Sequence, residues 1–176
     1  MEERLIKVGI THGDINGIGY EVILKTFSDA RVAELCTPVI YGSSKIAAYH
    51  RKALELPPVN MNIISQAEDA GINRVNIINC VDDETKVELS QSTSIAGEAA
   101  FLALEAAVTD LKRGAVDVLL TAPINKHNIQ NEQFHFPGHT EYLEERFGGV
   151  GRKALMILMK DGLRVALVTG HIPLSE

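Results

Sequence analysis

Two hydrophobic rhythms alternate along the chain. Short apolar runs recur, and between most of them stand stretches whose apolar residues fall three and four positions apart. The first rhythm predicts strands and the second helices. The predicted strands are Leu5–Ile10, Pro38–Tyr41, Met61–Ser65, Val75–Cys80 and Val116–Thr121. The predicted helices run from Tyr20 to Phe27, from a cap at Ser43 or Ser44 to about Leu54, and from a cap at Ser92 or Ser94 to near Gly114. Pro57-Pro58 stops the second. On the third, Ile95, Ala99, Leu102, Ala103, Ala106 and Leu111 share one side, and its many alanines predict close packing on a sheet. Strand and helix in alternation define an α/β class. Val116–Thr121, almost wholly apolar after Asp117, predicts a central parallel strand with the long helix packed across it.

The pattern changes after Thr121. Ala122-Pro123 leads into a helical turn over Asn125–Gln130. Pro137-Gly138 forces another turn. Thr140 is the expected N-cap of a short helix through Phe147, closed by Gly148-Gly149, and Glu141 suits the positive end of its dipole. Asp161-Gly162, set between Ala154–Lys160 and Leu163–Thr169, predicts an antiparallel hairpin. Pro173 and Ser175 then read as a helix start, so the chain is expected to be the front part of a longer protein. The expected division is a first α/β domain over residues 1–125 and the beginning of a second, cleft-forming domain over 126–176.

Composition narrows the class further. With 45% hydrophobic and 23% charged residues the chain is globular rather than disordered. A net charge of −6 speaks against a nucleic-acid surface. No apolar run reaches the ~18 residues that a membrane span needs. Cys36 and Cys80 stand apart without a CxxC and read as small buried residues of a reduced, cytoplasmic protein.

The candidate chemistry lies in the loops. Gly13-Asp14-Ile15-Asn16-Gly17-Ile18-Gly19 follows the first strand and has the order GxxxGxG, neither GxGxxG nor a P-loop. It reads either as a backbone approach to a phosphate or substrate, or as a tight strand-to-helix turn. His139 stands at a helix N-terminus, where free N–H groups favour an anion; the alternative is an ordinary surface histidine beside a cap. His171 follows a strand's C-terminal end, where open α/β sheets place ligands, and is otherwise a loop histidine. His127 and His135 sit on nearby loops, and His50, mid-helix, reads as a surface residue. No pair of histidines shows HxxxH spacing on a helix, so a metal centre would gather ligands from distant segments. No Gly-x-Ser-x-Gly elbow exists, and neither cysteine stands in an electropositive loop, which disfavours a covalent hydrolase.

Four runs together carry a resemblance: Gly13-Asp14 with Gly17-Ile18-Gly19, Thr121-Ala122-Pro123-Ile124-Asn125-Lys126, Pro137-Gly138-His139-Thr140-Glu141, and Gly170-His171-Ile172-Pro173-Leu174. In order and spacing the chain resembles the 4-hydroxythreonine-4-phosphate dehydrogenase family of pyridoxal phosphate biosynthesis. It departs from the commoner Thr-Pro-Gly-Asp-Pro-Ala form by reading Thr-His-Gly-Asp-Ile-Asn from Thr11. The resemblance implies a three-layer α/β/α fold like that of isocitrate and isopropylmalate dehydrogenases, incomplete here at the C-terminus. It implies oxidation of 4-phosphooxythreonine by NAD, with a divalent metal polarising the hydroxyl, to a 3-keto acid that decarboxylates. The metal that the resemblance implies is zinc, with magnesium or cobalt as the other choices. His139 and Thr140 match the family's substrate-binding pair. His171 matches the first of three metal-binding histidines; the other two lie further along than Glu176. The implied assembly is a cytoplasmic homodimer that completes each metal site across its interface, and His139, Thr140 and His171 are expected to converge on one cleft. Lys126 is a candidate anion contact, or a solvated lysine at a helix start. The catalytic group and the NAD contacts stay unassigned. Two rivals remain: a dehydrogenase of phosphorylated threonate or erythronate, and, from another class, an inactive fragment or binding module.

Overall fold

A computed structural model of the chain describes residues 5–149 and 151–169. The chain divides into two compact units, Met1–His135 and Phe136–Glu176.

The first unit is a parallel sheet with helices on both faces. Its strands are β1 (Lys7–Thr11), β2 (Thr37–Gly42), β3 (Met61–Ile64), β4 (Val75–Asn79) and β5 (Val118–Thr121), in the spatial order β3-β4-β2-β1-β5. Helix α1 (Gly19–Phe27) and the short α2 (Val32–Leu35) join β1 to β2, α3 (Ser44–Ala53) joins β2 to β3, and α4 (Ser94–Lys112) carries the chain from β4 to β5. Each predicted strand and helix of this unit is present within a few residues; α2 is additional. Alternation along β2 shows the layering. Ile40 packs with Ile10, Ile77 and, from α1, Ile23 and Phe27. Its neighbours Val39 and Tyr41 pack with Ala103 and Ala107 of α4. Successive side chains of a strand point to opposite faces, so α1 and α4 lie on opposite sides of the sheet.

Local chemistry explains the element ends. Ser43 accepts the Ile46 N–H at 3.3 Å and caps α3. Thr93, rather than Ser92 or Ser94, caps α4 by accepting the Ala96 N–H at 3.3 Å. The stripe of α4 that meets the sheet is also shifted from the expected one. Ala96, Ala99, Ala100, Ala103, Leu104, Ala107 and Val108 are buried, while Ile95 and Leu102 are exposed. Five of the seven residues of this stripe are alanines, which lets the helix lie close over the sheet.

The expectation of a central Val116–Thr121 strand is overturned. Among the described residues β5 is the edge strand, paired only with β1, and Leu120 is 53% exposed. Leu119 packs in the α4 cluster, but Val118 and Leu120 point to the other face, which no described helix covers at this strand. A continuous apolar run thus signalled potential burial of both faces, not position in the sheet.

The second unit holds α5 (His139–Phe147) and the antiparallel pair β6 (Ile157–Lys160) and β7 (Leu163–Ala166). The Asp161-Gly162 turn is as expected, with Asp161 at φ 50. Helix α5 begins earlier than expected. Gly138 is its N-cap, its carbonyl accepts the Tyr142 N–H at 3.3 Å, and Thr140 therefore lies inside the first turn and does not cap it.

Candidate functional site

The direction of winding reverses between β1 and β5. The connection from β1 runs through α1 to β2 on one side, whereas α4 crosses to β5 on the other. Open α/β sheets bind ligands at such a reversal, outside the carboxyl ends of the strands. The loops that leave those ends here are Thr11–Gly19 and Thr121–Lys126, two of the motifs singled out from the sequence.

These loops are bonded to each other. The Asp14 N–H donates to the Pro123 carbonyl at 2.9 Å, and the Ala122 N–H donates to the Thr11 carbonyl at 3.1 Å. Asp14 takes the Asn16 N–H on one carboxylate oxygen at 2.8 Å and the Asn128 side-chain amide on the other at 3.2 Å. Asn16 then ties in a third segment. Its amide donates to the Gln91 carbonyl at 2.9 Å and to Thr93 Oγ1 at 3.0 Å, and its oxygen accepts the Glu88 N–H at 2.7 Å. Asn125 folds the end of the second loop by accepting the His127 and Asn128 N–H groups. The expected helical turn over Asn125–Gln130 is present as a single turn, in which the Ile129 N–H donates to the Asn125 carbonyl at 3.2 Å.

Two of the three loop glycines, Gly13 and Gly19, are explained by protein contacts. Gly13 has φ +71, and a Cβ there would strike the Pro123 carbonyl. A Cβ at Gly19 would strike the His12 carbonyl. Of the two readings of GxxxGxG, the tight turn accounts for both positions.

Three buried rings lie beneath the first loop. His12 stacks on Tyr20 at 5.0 Å with an interplanar angle of 12°, and Tyr20 stacks on His50 at 5.2 Å and 24°. The Tyr20 hydroxyl accepts the Ser43 N–H at 2.9 Å. His50 lies 2.7 Å from the Ile15 carbonyl, an acceptor that places the ring proton on Nε2. Gly42 has no room for a side chain because the Tyr20 hydroxyl and the His12 ring occupy it. His50, expected on the surface, is 1% exposed, because its face of α3 turns toward the glycine loop. His12 is fully buried and neither ring nitrogen has a well-formed hydrogen bond. Burial drives its pKa down to about 4, outweighing the nearby Gly13 and Ala99 backbone, and neighbouring His50 pushes the same way. Burial also lowers the pKa of His50 and raises that of Tyr20. All three rings are therefore neutral near pH 7.

The remaining candidates are placed individually. Lys126 is exposed on its turn, His127 is exposed, and His135 lies with Nε2 2.7 Å from the Glu132 carbonyl. In the second unit His139 is half-buried and Thr140 exposed, both in the first turn of α5. His171 lies outside the described residues, and with it the expected convergence of His139, Thr140 and His171. Among the described residues no three His, Cys, Asp or Glu groups are gathered as a metal site. Cys36 and Cys80 are half-buried rather than buried, and burial pushes the Cys80 thiol up to about 12, so it is no nucleophile at neutral pH. No described helix is long and apolar enough to cross a membrane. The sequence reading missed Asn16, Asn128 and the ring stack; the Asp14 and Asn16 of the glycine loop were the available signal, since short polar side chains inside such a loop commonly bond backbone.

A wound parallel sheet with bonded polar loops at its reversal point defines the class: an open α/β fold of the kind that places ligands at the carboxyl ends of its strands. The chain belongs to the family described as pyridoxal phosphate biosynthetic protein PdxA, whose model matches residues 34–176. It is 61% identical, over its full length, to a 4-hydroxythreonine-4-phosphate dehydrogenase of Bacteroides thetaiotaomicron, of which it covers 48%. A Clostridium botulinum protein provisionally named a D-threonate 4-phosphate dehydrogenase is 31% identical over 174 residues, with 51% of it covered. The crystal structure of a 4-hydroxythreonine-4-phosphate dehydrogenase from Burkholderia phymatum superposes with a TM-score of 0.83 at 31% identity, covering 97% of this chain and 52% of that one. The chain spans about half the length of the curated relatives it matches.

Proposed function

We propose that the chain is the amino-terminal half of an NAD-dependent 4-hydroxythreonine-4-phosphate dehydrogenase. The observation that carries this reading is the 61% identity to the Bacteroides dehydrogenase along all 176 residues. The reaction oxidises the secondary alcohol of the phosphorylated hydroxy acid: hydride goes to NAD+, the hydroxyl proton to solvent or a base, and the 3-keto acid formed loses carbon dioxide. In this reading His139 and the first turn of α5 hold an anionic end of the substrate, since free N–H groups there favour negative charge. Thr140 supplies a hydroxyl beside it, and exposed Lys126 is a further anion contact. Within the first unit, the loops at the ends of β1 and β5 are bonded to each other at the sheet's reversal point, a pre-organisation that ligand binding by an open α/β sheet uses.

The divalent metal, zinc first among the choices, is part of the proposal through the family resemblance alone. The described residues do not by themselves form a site for it, and His171 is the ligand this chain would contribute. The homodimer and the cytoplasmic location are proposed on the same basis. A second reading, oxidation of threonate 4-phosphate, is favoured by the likeness to the Clostridium protein. A third, that this stretch alone is an inactive fragment, is favoured by its half-length coverage.

The test is NADH absorbance, with the protein at its natural length incubated with NAD, zinc and either 4-phosphohydroxythreonine or threonate 4-phosphate. Faster turnover of the first supports the main reading, and faster turnover of the second the alternative. No NADH with either removes both.

A further inference from the structure

The three-ring stack joins segments that share no sequence neighbourhood. His12 and Ile15 belong to the glycine loop, Tyr20 to the first turn of α1, Ser43 to the cap of α3, and His50 to its last turn. The hydrogen bonds of Tyr20 and His50 end on the cap of α3 and on the loop, and the stack packs besides against Ala96 and Ala99 of α4. The flat faces lie at stacking distance, and the polar atoms of Tyr20 and His50 are spent on backbone groups. Gly42 is kept side-chain-free by the same rings. The loop these rings support carries Asp14, whose backbone and carboxylate hold the Thr121–Lys126 loop through Pro123 and Asn128. Displacing the rings therefore displaces both loops at the carboxyl ends of β1 and β5.

We infer that His12, Tyr20 and His50 are positioning residues: a buried ring brace that sets the Thr11–Gly19 loop, and through Asp14 the Thr121–Lys126 loop, for ligand binding. The ligand-binding part of this role rests on the function proposed above, whereas the brace itself does not.

The experiment uses the protein at its natural length. Tyr20→Leu removes the central ring, Tyr20→Phe keeps the ring and loses the Ser43 bond, and His12→Phe keeps a ring at the end of the stack. Amide hydrogen exchange is followed at Asp14, Asn16 and Gly17, with the β2 and α4 amides as internal references. Tyr20→Leu is expected to speed exchange in the loop about tenfold or more while the references stay protected, and Tyr20→Phe to fall between it and wild type. His12→Phe is expected to restore near-wild-type protection. In the NADH assay Tyr20→Leu is expected to lower kcat/KM for the phosphorylated substrate about tenfold, and His12→Phe to stay within about threefold. Should Tyr20→Leu fail to fold, His50→Leu, which leaves Tyr20 on His12, takes its place. Unchanged loop exchange in a folded variant overturns the brace. A loosened loop with intact kcat/KM overturns the positioning role. A wild-type protein without any NADH formation sinks the proposed function instead, and the exchange data still decide the brace.

Discussion

Acid should destabilise the first unit through His12, and the effect can be isolated. The imidazole is completely buried, and its pKa falls from an ordinary 6.5 to about 4 in the folded state. Between those values the unfolded chain takes up a proton that the folded chain refuses. Stability therefore rises with pH across this window: the contribution of neutral His12 is whole above pH 6.5 and is lost progressively as pH falls toward 4. At about 1.36 kcal/mol per pH unit, the full loss is about 3 kcal/mol, a large part of a domain's typical stability. His50, lowered in the same direction, adds to the trend. Urea unfolding at intervals from pH 7.5 to 4, for wild type and His12→Phe, measures it. The difference between the two curves removes the carboxylates common to both. The variant is expected to lose about 3 kcal/mol less than wild type across the window. Parallel losses, or a His12 ring that titrates near 6.5 by NMR in the folded protein, would refute the reasoning.

Other consequences follow from single contacts. Gly97→Ala drives a methyl into the Asn128 carbonyl, a backbone group that cannot swing aside; denaturant midpoints should show a loss of about 3 kcal/mol, and a neutral outcome would mean that α4 and the Asn125–Gln130 turn are not in close contact. Asn16→Ala leaves the Glu88 N–H and the Gln91 carbonyl without their partner; a loss of about 2 kcal/mol and faster proteolysis between Asp82 and Thr93 are expected, and unchanged cleavage would count against Asn16 as the tie. Lys126→Ala and His139→Ala should each raise KM for the phosphorylated substrate about tenfold, and an unchanged KM would remove that residue from the site. Calorimetric titration of this 176-residue chain with zinc should show no stoichiometric tight step, because its described residues gather no ligand set; a tight step would reveal ligands not yet assigned.

The sequence by itself determined the elements and their class. Hydrophobic period and capping residues are local properties, so the β1–α1 start, the Ser43 cap of α3, the parallel-sheet strands and the Asp161-Gly162 turn were legible directly. The motif runs likewise carried the family. Tertiary structure decided everything that depends on which surfaces meet. The apolar character of Val118–Thr121 could not reveal an edge position, since pairing order is set by the crossover of α4. Mid-helix His50 looked solvated because nothing within α3 says that its face meets Ile15 and Tyr20. Thr140 was displaced from the cap by a helix that starts at His139. Gly13, Gly19 and Gly97 owe their lack of a side chain to carbonyls that are distant in sequence or folded back against them. Composition and spacing encode what each segment prefers alone, whereas the ring stack and the bonded loops arise only where separate segments exclude water together.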